Sequence, residues 1–420
     1  MAETLDRSAR PDIVIKHVHV VGGGLAGLSA AMELVEAGVR VTLYEAGPAA
    51  GGRCRSYFDR ELGVRLDNGN HLLLSGNRDA FAYLDRIGTR DTMAGPTEPV
   101  FPFIDVSTGE RWTVRPNRGR VPWWVLSRRR RVPGARLGHF IAASRLSHSA
   151  PNATVAERLP SGELYRRLLE PLAIAALNTL PATASARLLG AVMDESLSRG
   201  GAACVPAYPA VGLSESFIDP AIQWLEARGA MVRLGSRVAR LGFGEARVTE
   251  LDGTALGLDE GVVLATPALV AASLMPGLTT PDRFEAILNV HFRCEADPGE
   301  AGFFGLLGGT AEWIFMKPGV VSSTISAGNA RIGLPSEDLA QQVWHDICVV
   351  RDIHEPMPAY RVVREKRATF AATPEQDRRR PQIQTPFRNL VLAGDWTATG
   401  LPATIEGAIR SGRSAAKSIR

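Results

Sequence analysis

The chain has 420 residues, of which 45% are hydrophobic and 22% charged, and its formal net charge is +4 at pH 7. This composition is typical of a globular protein with two or three domains and excludes a fibrous or largely disordered chain. Apolar runs of about 18 residues do not occur, so no transmembrane helix is predicted. The four cysteines are scattered without C-x-x-C spacing, so we expect reduced thiols and no metal site.

Residues 1–13 are polar, and we predict that they form a disordered leader. A short apolar run at 17–21 then predicts a strand, and a glycine turn at 22–27 leads into residues with helical spacing. A second apolar run at 39–44 predicts another strand, and Glu45 follows it directly. The order strand, glycine turn, helix, strand and acid is typical of a dinucleotide-binding unit.

Each glycine of the G-x-G-x-x-G pattern has a physical role. Gly22 permits the tight exit from the strand, Gly24 lets a pyrophosphate approach the backbone, and Gly27 allows close packing of helix and sheet. The N-terminus of the helix then faces the phosphates. Glu45 can accept hydrogen bonds from both ribose hydroxyls, which favours FAD or NAD over NADP. The alternative is an ordinary glycine-rich turn.

Two further turns follow the dinucleotide-binding unit. The loop at 51–56 carries Gly52 and Arg53, whose guanidinium could bind phosphate oxygens, although a solvated loop would have a similar composition. The segment at 66–71, LDNGNH, is rich in residues that favour turns. It is interpreted equally well as a hairpin turn or as polar side chains lining a cavity next to the cofactor.

The most basic part of the chain lies at 111–145, which contains ten arginines and no acidic residue. Within it, Trp123 and Trp124 precede four arginines at 128–131. Indole rings at headgroup level and guanidinium groups on anionic lipid are typical of proteins bound to one face of a membrane. A buried tryptophan pair beside a solvated basic loop is the alternative. Without a recognisable nucleic-acid motif, we expect no nucleic-acid partner.

The rest of the chain alternates helical and strand-like patterns. Helices are predicted at 77–88, 163–176, 185–197, 213–228, 268–274, 336–350 and in the stretch that ends at 419. Strands are predicted at 101–114, 230–241, 261–265, 287–293, 313–317, 320–326 and 389–393. Both ends of the chain therefore carry nucleotide-binding elements, and the segment at 261–265 is expected to rejoin their sheet.

The two ends together resemble the FAD-dependent amine oxidase and phytoene desaturase superfamily. The N-terminal half of that signature is Gly22, Gly24, Gly27, Glu45, Gly51, Gly52 and Arg53, and the C-terminal half is Ala393, Gly394, Asp395, Trp396, Glu406, Gly407, Ala408, Ser411 and Gly412. Within the superfamily, the chain resembles the bacterial hydroxysqualene dehydroxylases. The segments that carry this closer resemblance are 51–56, 66–77, 171–181, 199–204, 309–313 and 365–370.

The resemblance implies an α/β fold: a Rossmann-like FAD-binding domain of the amine-oxidase type with an inserted α+β substrate domain. The FAD-binding parts are predicted at 14–76, 206–275 and 385–420. The first part of the substrate domain, which also faces the membrane, is predicted at 77–205, and its second part at 276–384. By resemblance, FAD contacts are expected from Gly22, Gly24, Leu25, Ala26, Gly27, Glu45, Ala46, Gly52, Arg53, Asn70, His71, Val238, Gly394, Asp395, Thr404, Ile405 and Ala408.

The resemblance also implies that reduced FAD converts hydroxysqualene to squalene with loss of water. An allylic hydroxyl leaves poorly as hydroxide, so the site must protonate it or stabilise a developing cation. The candidate acids are His71, Asp67 and His291. The alternatives are a carotenoid desaturase or isomerase, a flavin amine oxidase and a non-catalytic flavin-binding scaffold. We expect a cytoplasmic protein on the inner face of the cell membrane, with enzymes of squalene synthesis as possible partners.

Overall fold

The computed structural model describes residues 14–420, and the predicted leader at 1–13 lies outside this range. In chain order, the strands of the described part are β1 (His17–Val21), β2 (Arg40–Tyr44), β3 (Ser56–Asp59), β4 (Val64–Asp67), β5 (Leu73–Leu74), β6 (Met93–Ala94), β7 (Phe101–Asp105), β8 (Arg111–Val114), β9 (Pro206–Pro209), β10 (Met231–Arg233), β11 (Leu241–Phe243), β12 (Val248–Leu251), β13 (Thr254–Ala255), β14 (Glu260–Leu264), β15 (Phe284–Arg293), β16 (Phe303–Leu307), β17 (Trp313–Lys317), β18 (Val320–Ile325), β19 (Tyr360–Phe370) and β20 (Leu390–Leu392).

The α-helices are α1 (Leu25–Glu36), α2 (Arg78–Ile87), α3 (Leu137–Ala143), α4 (Val155–Arg158), α5 (Glu170–Leu177), α6 (Ala186–Glu195), α7 (Asp219–Glu226), α8 (Ala268–Leu274), α9 (Ser336–Arg351), α10 (Pro374–Arg378) and α11 (Ile405–Ile419). Short 3₁₀ turns are present at Arg90–Thr92, Trp123–Leu126, Leu146–His148, Leu197–Arg199, Gly201–Ala203 and Gly328–Arg331. Two π-helical turns, Tyr165–Leu169 and Ser214–Ile218, run directly into α5 and α7.

A five-stranded parallel sheet carries the glycine turn. Its order is β10-β2-β1-β14-β20, so strands from four separate parts of the chain lie side by side. One face packs against α1, α7 and α11, and the other packs against the small sheet β11-β12-β13. Because both faces are covered, the strands are nearly continuous apolar runs, as parallel strands usually are. The predicted return of the segment at 261–265 to this sheet is confirmed.

Helices α1 and α11 pack closely on one face of the parallel sheet. Gly412 of α11 lies against the backbone of α1, where a β-carbon would come within 2.9 Å of the Ala30 nitrogen. The Ser29 hydroxyl also donates a hydrogen bond to the Ile409 carbonyl oxygen at 2.9 Å. The first and last long helices are therefore held together by backbone contact, which fixes both N-termini at the same edge of the sheet.

The second layer is a seven-stranded sheet with the order β19-β15-β18-β17-β16-β7-β8. It is antiparallel except for the β16–β7 pair, and its outer side packs against the apolar face of α9. A bulge interrupts β15 between Glu285 and Ile287. Helices α3 to α6 and the 3₁₀ turn at Trp123–Leu126 lie between β8 and β9 in the chain and share the core beside this sheet.

The observed elements match most predicted ones within a few residues, and α8 and β17 coincide with their predicted bounds. The predicted helix at 163–176 is instead a π-turn followed by α5, and it ends at Asn178 in the left-handed conformation (φ 47°). Residues 206–209, predicted to open the second FAD-binding part, form β9, which pairs with β5 and β6 and not with the parallel sheet. The domain boundaries themselves remain a prediction.

Candidate active site

The glycine turn between β1 and α1 is shaped to admit a phosphate group. Gly22 adopts a φ of +115°, and a β-carbon there would lie 2.5 Å from the Ala265 carbonyl oxygen. Gly24 is different, because a β-carbon on it would point into open space. Gly24 is also the N-cap of α1, and no side chain caps that helix. The first N–H groups of α1 are therefore free to bind an anion, as a pyrophosphate requires.

Glu45 is held beside this turn by backbone hydrogen bonds. Its two carboxylate oxygens accept hydrogen bonds from the N–H groups of Gly23 at 2.9 Å and Gly47 at 2.7 Å. The Glu45 carbonyl oxygen accepts from the Ser236 N–H, which brings the segment that contains Val238 next to Ala46. Glu45 and Ala46 thus lie beside the segment that contains Val238, which is buried.

An ion pair joins the N-terminal and C-terminal halves of the motif. One terminal nitrogen of Arg53 lies 2.8 Å from each carboxylate oxygen of Asp395, and the other donates to the Ala368 carbonyl oxygen. The Asp395 carboxylate raises the pKa of Arg53. Much of the guanidinium is therefore occupied by protein, so Arg53 anchors the two halves, and its predicted contact with phosphate stays a prediction.

The N-terminus of α11 faces the same space. Thr404 caps the helix by accepting a hydrogen bond from the Gly407 N–H at 3.0 Å. The Glu406 carboxylate accepts hydrogen bonds from the N–H groups of Asp79 and Ala80 at the start of α2. Thr404, Ile405 and Ala408 line the cavity described next, which places a second positive helix end there.

A cavity of about 430 Å³ extends from these two helix ends into the protein. At the glycine turn it is lined by Gly24, Leu25, Ala26, Gly51, Arg53, Gly394, Asp395, Thr404, Ile405 and Ala408. Its apolar wall is formed by Phe101, Phe103, Val114, Pro116, Trp124, Leu168, Leu172, Ala175, Ala176, Leu197, Trp313 and Phe315. Its polar side is formed by Asn68, Asn70, His71, Asn178, Asn289, Thr324, Ser326, Glu365 and Thr369.

The residues present fit FAD. The open space at Gly24, the uncapped helix end behind it and the fixed Glu45 carboxylate are what a pyrophosphate and an adenosine ribose require. The second helix end, at Thr404, can stabilise negative charge on a reduced flavin. One cavity therefore offers a dinucleotide cradle that opens onto a long apolar wall with a localised polar side.

The polar side is a connected hydrogen-bond network. The Asn70 amide donates to the hydroxyls of Ser322 at 2.8 Å and Thr324 at 3.0 Å, and the Thr324 hydroxyl donates to the Asn289 side-chain oxygen at 3.0 Å. The Asn68 amide lies 3.4 Å from a carboxylate oxygen of Glu365. This network can orient a hydroxyl group in an otherwise apolar cavity.

The three candidate acids from the sequence are separated in the structure. His71 lines the cavity, and burial lowers its pKa to about 4, so its imidazole is neutral at pH 7. Asp67 and His291 are not among the residues that line the cavity, and both face a smaller pocket next to Lys317. The geometry therefore brings only His71 of the three to the site.

Asp67 and His291 are engaged elsewhere. The pKa of Asp67 is lowered overall. Burial alone would raise this pKa, but the Lys317 ammonium at 2.7 Å and hydrogen bonds from Leu213 and Ser56 outweigh burial. Burial lowers the pKa of His291 to about 4, and its Nδ1 lies 2.7 Å from the Ser322 hydroxyl. Both residues hold strands together beside the cavity.

Several cavity residues were not singled out from the sequence. Glu365, Asn178 and Asn289 lie on the polar side, and each comes from a strand or helix end that is far along the chain from the glycine turn. The sequence signal for Asn289 is an amide inside the apolar run of β15. The structure shows that this amide is fully buried. Buried amides in strands usually satisfy a specific partner.

The prediction that both tryptophans face a membrane is wrong for Trp124. Its side chain is only 5% exposed, packs edge-on against Phe140 and lines the cavity, whereas Trp123 is 50% exposed. The tight 3₁₀ turn points adjacent side chains in different directions, which explains the difference. Exposed apolar residues surround Trp123 on this turn and on α3. We call this set the apolar rim: Val121, Trp123, Leu126, Leu137 and Ile141.

Comparison with known proteins gives consistent matches. A family model described as flavin containing amine oxidoreductase matches residues 25–420. A hydroxysqualene dehydroxylase of Sinorhizobium fredii is 46% identical over 96% of this chain and 97% of its own length, and one of Zymomonas mobilis is 45% identical over 95% and 97%. A probable zeta-carotene desaturase of Synechococcus elongatus is 23% identical over 96% and 98%.

Solved structures share the fold at low identity. An oxidoreductase of Methanosarcina mazei has a TM-score of 0.73 at 14% identity, over 96% of this chain and all of that one. A putrescine oxidase double mutant has a TM-score of 0.71 at 15% identity, over 97% and 99%. These likenesses support the α/β architecture with a Rossmann-like sheet.

Replacing Gly24 with valine should weaken FAD binding without unfolding the protein. The backbone at Gly24 is extended (φ −77°), and a β-carbon there would meet no protein atom, so the valine side chain would extend into the cradle. We expect FAD affinity to fall by about 100-fold, equivalent to ~2.7 kcal/mol. The measurement is flavin titration of the apoprotein by fluorescence, with circular dichroism to confirm folding.

Gly333→Val is the matched control, because a β-carbon at Gly333 also meets open space, but far from the cradle. It should bind FAD as the unmodified chain does. Normal FAD affinity in Gly24→Val would contradict the assignment of the cradle.

Proposed function

The chain belongs to the flavin-containing amine oxidoreductases and, within them, to the hydroxysqualene dehydroxylases, and from that premise we propose that it reduces hydroxysqualene to squalene with loss of water. It is an FAD-dependent oxidoreductase. The observation that carries the proposal is the cavity, whose long apolar wall and single polar side suit a long isoprenoid with one hydroxyl group. A polar or charged substrate would leave most of that wall unmatched.

In the proposed reaction, hydroxysqualene and reduced FAD give squalene, one water molecule and oxidised FAD. The carbon–oxygen bond breaks, a carbon–hydrogen bond forms in its place, and the hydroxyl oxygen takes a proton as it leaves. When bound, reduced FAD supplies the hydride equivalent. The protein must therefore position the hydroxyl, deliver a proton to its oxygen and keep water from the reacting carbon.

The polar side of the cavity supports the first of these tasks. The amide of Asn68 and the hydroxyl of Thr324 lie in one network, and either can hydrogen-bond a substrate hydroxyl. The apolar wall supports the third task because it leaves little room for water beside a bound isoprenoid. The faces of Phe103 and Trp313 can also stabilise positive charge that develops on the allylic carbon.

For the proton donor, the geometry favours Glu365. Glu195 and Glu406, which also line the cavity, are ion-paired with Arg410, and Asp395 is paired with Arg53. Among the cavity-lining residues that the structure describes, Glu365 is the carboxyl group without such a pair; its neighbour is the neutral Asn68 amide. In its protonated form, the Glu365 carboxyl group can donate its O–H to the oxygen of a hydroxyl group bound at the polar side of the cavity. His71 is neutral at pH 7, so its imidazole can donate or accept a hydrogen bond but carries no acidic proton.

We also propose that the apolar rim binds the surface of an anionic membrane, on the cytoplasmic side of the cell membrane. The rim is surrounded by exposed arginines at positions 118, 120, 128, 129 and 136, and the Arg130 guanidinium stacks on Trp123 at 4.8 Å. Each such arginine can add about 1 kcal/mol of attraction to anionic lipid. Trp124, next to the rim, lines the cavity, so a lipid-dissolved substrate would reach the site over a short path. None of the described helices is long and apolar enough to cross a membrane.

The reaction itself is tested by an anaerobic single turnover. The holoenzyme is reduced chemically and mixed with hydroxysqualene in detergent, and we expect flavin reoxidation with an equal amount of squalene in the extract. The protein is a carotenoid desaturase instead if the reduced flavin is not reoxidised, and if a polyene with fewer double bonds than its product reduces the flavin of the oxidised enzyme. Bleaching by an amine would indicate an amine oxidase.

In the same assay, Glu365→Gln should slow flavin reoxidation by a factor of about 10² to 10⁴, the usual contribution of a proton donor. Flavin binding should be unchanged. Glu285→Gln is the control, since Glu285 lies on the neighbouring strand but does not line the cavity. If His71→Gln is slow and Glu365→Gln is not, the assignment of Glu365 is wrong, and His71 acts on the substrate hydroxyl instead.

Membrane binding is tested by sedimentation with vesicles of anionic or zwitterionic lipid. We expect binding to anionic vesicles that weakens with salt, and at least a tenfold loss in the double variant Trp123→Ser and Leu126→Ser, given ~1.5–3 kcal/mol per buried apolar side chain. Leu258→Ser, at another exposed leucine, serves as control. Equal sedimentation of all three proteins would overturn the membrane proposal and favour substrate delivery by a partner enzyme.

A further inference from the structure

A cluster of two histidines and one glutamate lies at the opposite end of the parallel sheet from the cavity. His17 and His19 alternate along β1, so their side chains point to the same face of the sheet. Glu260 opens β14 and is paired in register with His17. The three residues face the side of the sheet opposite α1, because the alternate residues Val18, Val20 and Val263 pack with that helix.

The donor atoms of the cluster converge. Nδ1 of His17 lies 2.8 Å from Oε1 of Glu260, and Nε2 of His19 lies 3.6 Å from the same oxygen. All three donor atoms lie within 4.8 Å of one another. Nε2 of His19 has no hydrogen-bond partner among the described residues, although His19 is only 8% exposed. A buried nitrogen without a partner is uncommon and points to a missing one.

The opposite ring nitrogens already have oxygen partners. Nε2 of His17 lies 2.9 Å from the Thr42 hydroxyl, and Nδ1 of His19 lies 3.1 Å from the Tyr44 hydroxyl. Metal-binding histidines almost always donate their second N–H to an oxygen, which fixes the ring and leaves the other nitrogen free to bind the ion. The second carboxylate oxygen of Glu260, Oε2, accepts a hydrogen bond from the Gly257 N–H at 2.8 Å.

We propose that His17, His19 and Glu260 bind a divalent transition-metal ion, with Zn²⁺ as the best match. Two imidazole nitrogens and one carboxylate oxygen are common zinc ligands, and water can complete a tetrahedron because His17 and Glu260 are only partly buried. Ligands in such a tetrahedron are about 3.3 Å apart, within the range of separations seen here.

The charges around the cluster are mixed. Glu260 carries the negative charge that favours a cation, whereas the Arg233 guanidinium nearby opposes one. Burial, followed by the influence of His17, lowers the pKa of His19 to about 4, so its ring is neutral at pH 7, as a metal ligand must be.

The role of the ion would be structural. The cluster lies in the first half of β1, and His19 is three residues, roughly 10 Å, before the glycine turn. It links β1 to β14 directly and to β2 through the hydroxyls of Thr42 and Tyr44. The expectation of no metal site relied on cysteine spacing alone, and Glu260 is 243 residues from His17.

The test uses the untagged holoenzyme after chelation. We expect about one equivalent of Zn²⁺ to bind saturably in calorimetry, a visible Co²⁺ spectrum typical of tetrahedral coordination, and a midpoint of thermal unfolding that rises by several degrees with Zn²⁺. Single-turnover activity should be unchanged by the metal.

Variants identify the ligands. His19→Gln and Glu260→Gln should lose the saturable equivalent, and Thr42→Val, which removes only a hydroxyl behind His17, should weaken binding by about 10- to 100-fold. His354→Gln is the control at an exposed histidine. The proposal is overturned if no equivalent binds, or if Thr42→Val and Glu260→Gln fold and bind as tightly as the control. If either His19→Gln or Glu260→Gln does not fold, Thr42→Val alone decides.

Discussion

The parallel pairing of β1 with β14 is the constraint on which the rest of this structure depends. It places Val21 beside Leu264, so the chain leaves both strands at the same edge of the sheet. Gly22 then lies against the backbone of Ala265, too close for any side chain. The cofactor cradle is therefore built from the backbone of two distant segments, and its shape exists only when those segments are paired.

The same edge is also where the two ends of the chain are joined. Arg53 holds Asp395 with two hydrogen bonds, and Arg410 binds Asp79, Glu195 and Glu406 at once. Because desolvation of these charges offsets much of their attraction, the main effect of the pairs is positional. They fix the N-terminus of α11 relative to that of α1, and so set the distance between the two positive ends that face the cavity.

Features that are local in the sequence could be predicted, and features that depend on contact between distant segments could not. The glycine turn, Glu45 and the strand β14 were predictable because each is a short pattern with its own turn or burial requirement. The distinction between Trp123 and Trp124 was not, because a 3₁₀ turn of four residues has no periodicity that shows which side is buried. Glu365 and Asn289 form part of one site only because β19 pairs with β15, and the alternation within either strand does not reveal this partner.

The sheet order also determines when the molecule can be completed. β1 and β2 are synthesised first, yet the neighbours of β1 on the other side are β14 and, beyond it, β20, which lie late in the chain. A nascent chain therefore carries an open apolar strand edge for most of its synthesis, the kind of surface that chaperones bind. Pairing across such long sequence separations is intrinsically slow. Since α11 follows β20 in the chain, the flavin site is complete only after both of these late elements have been synthesised.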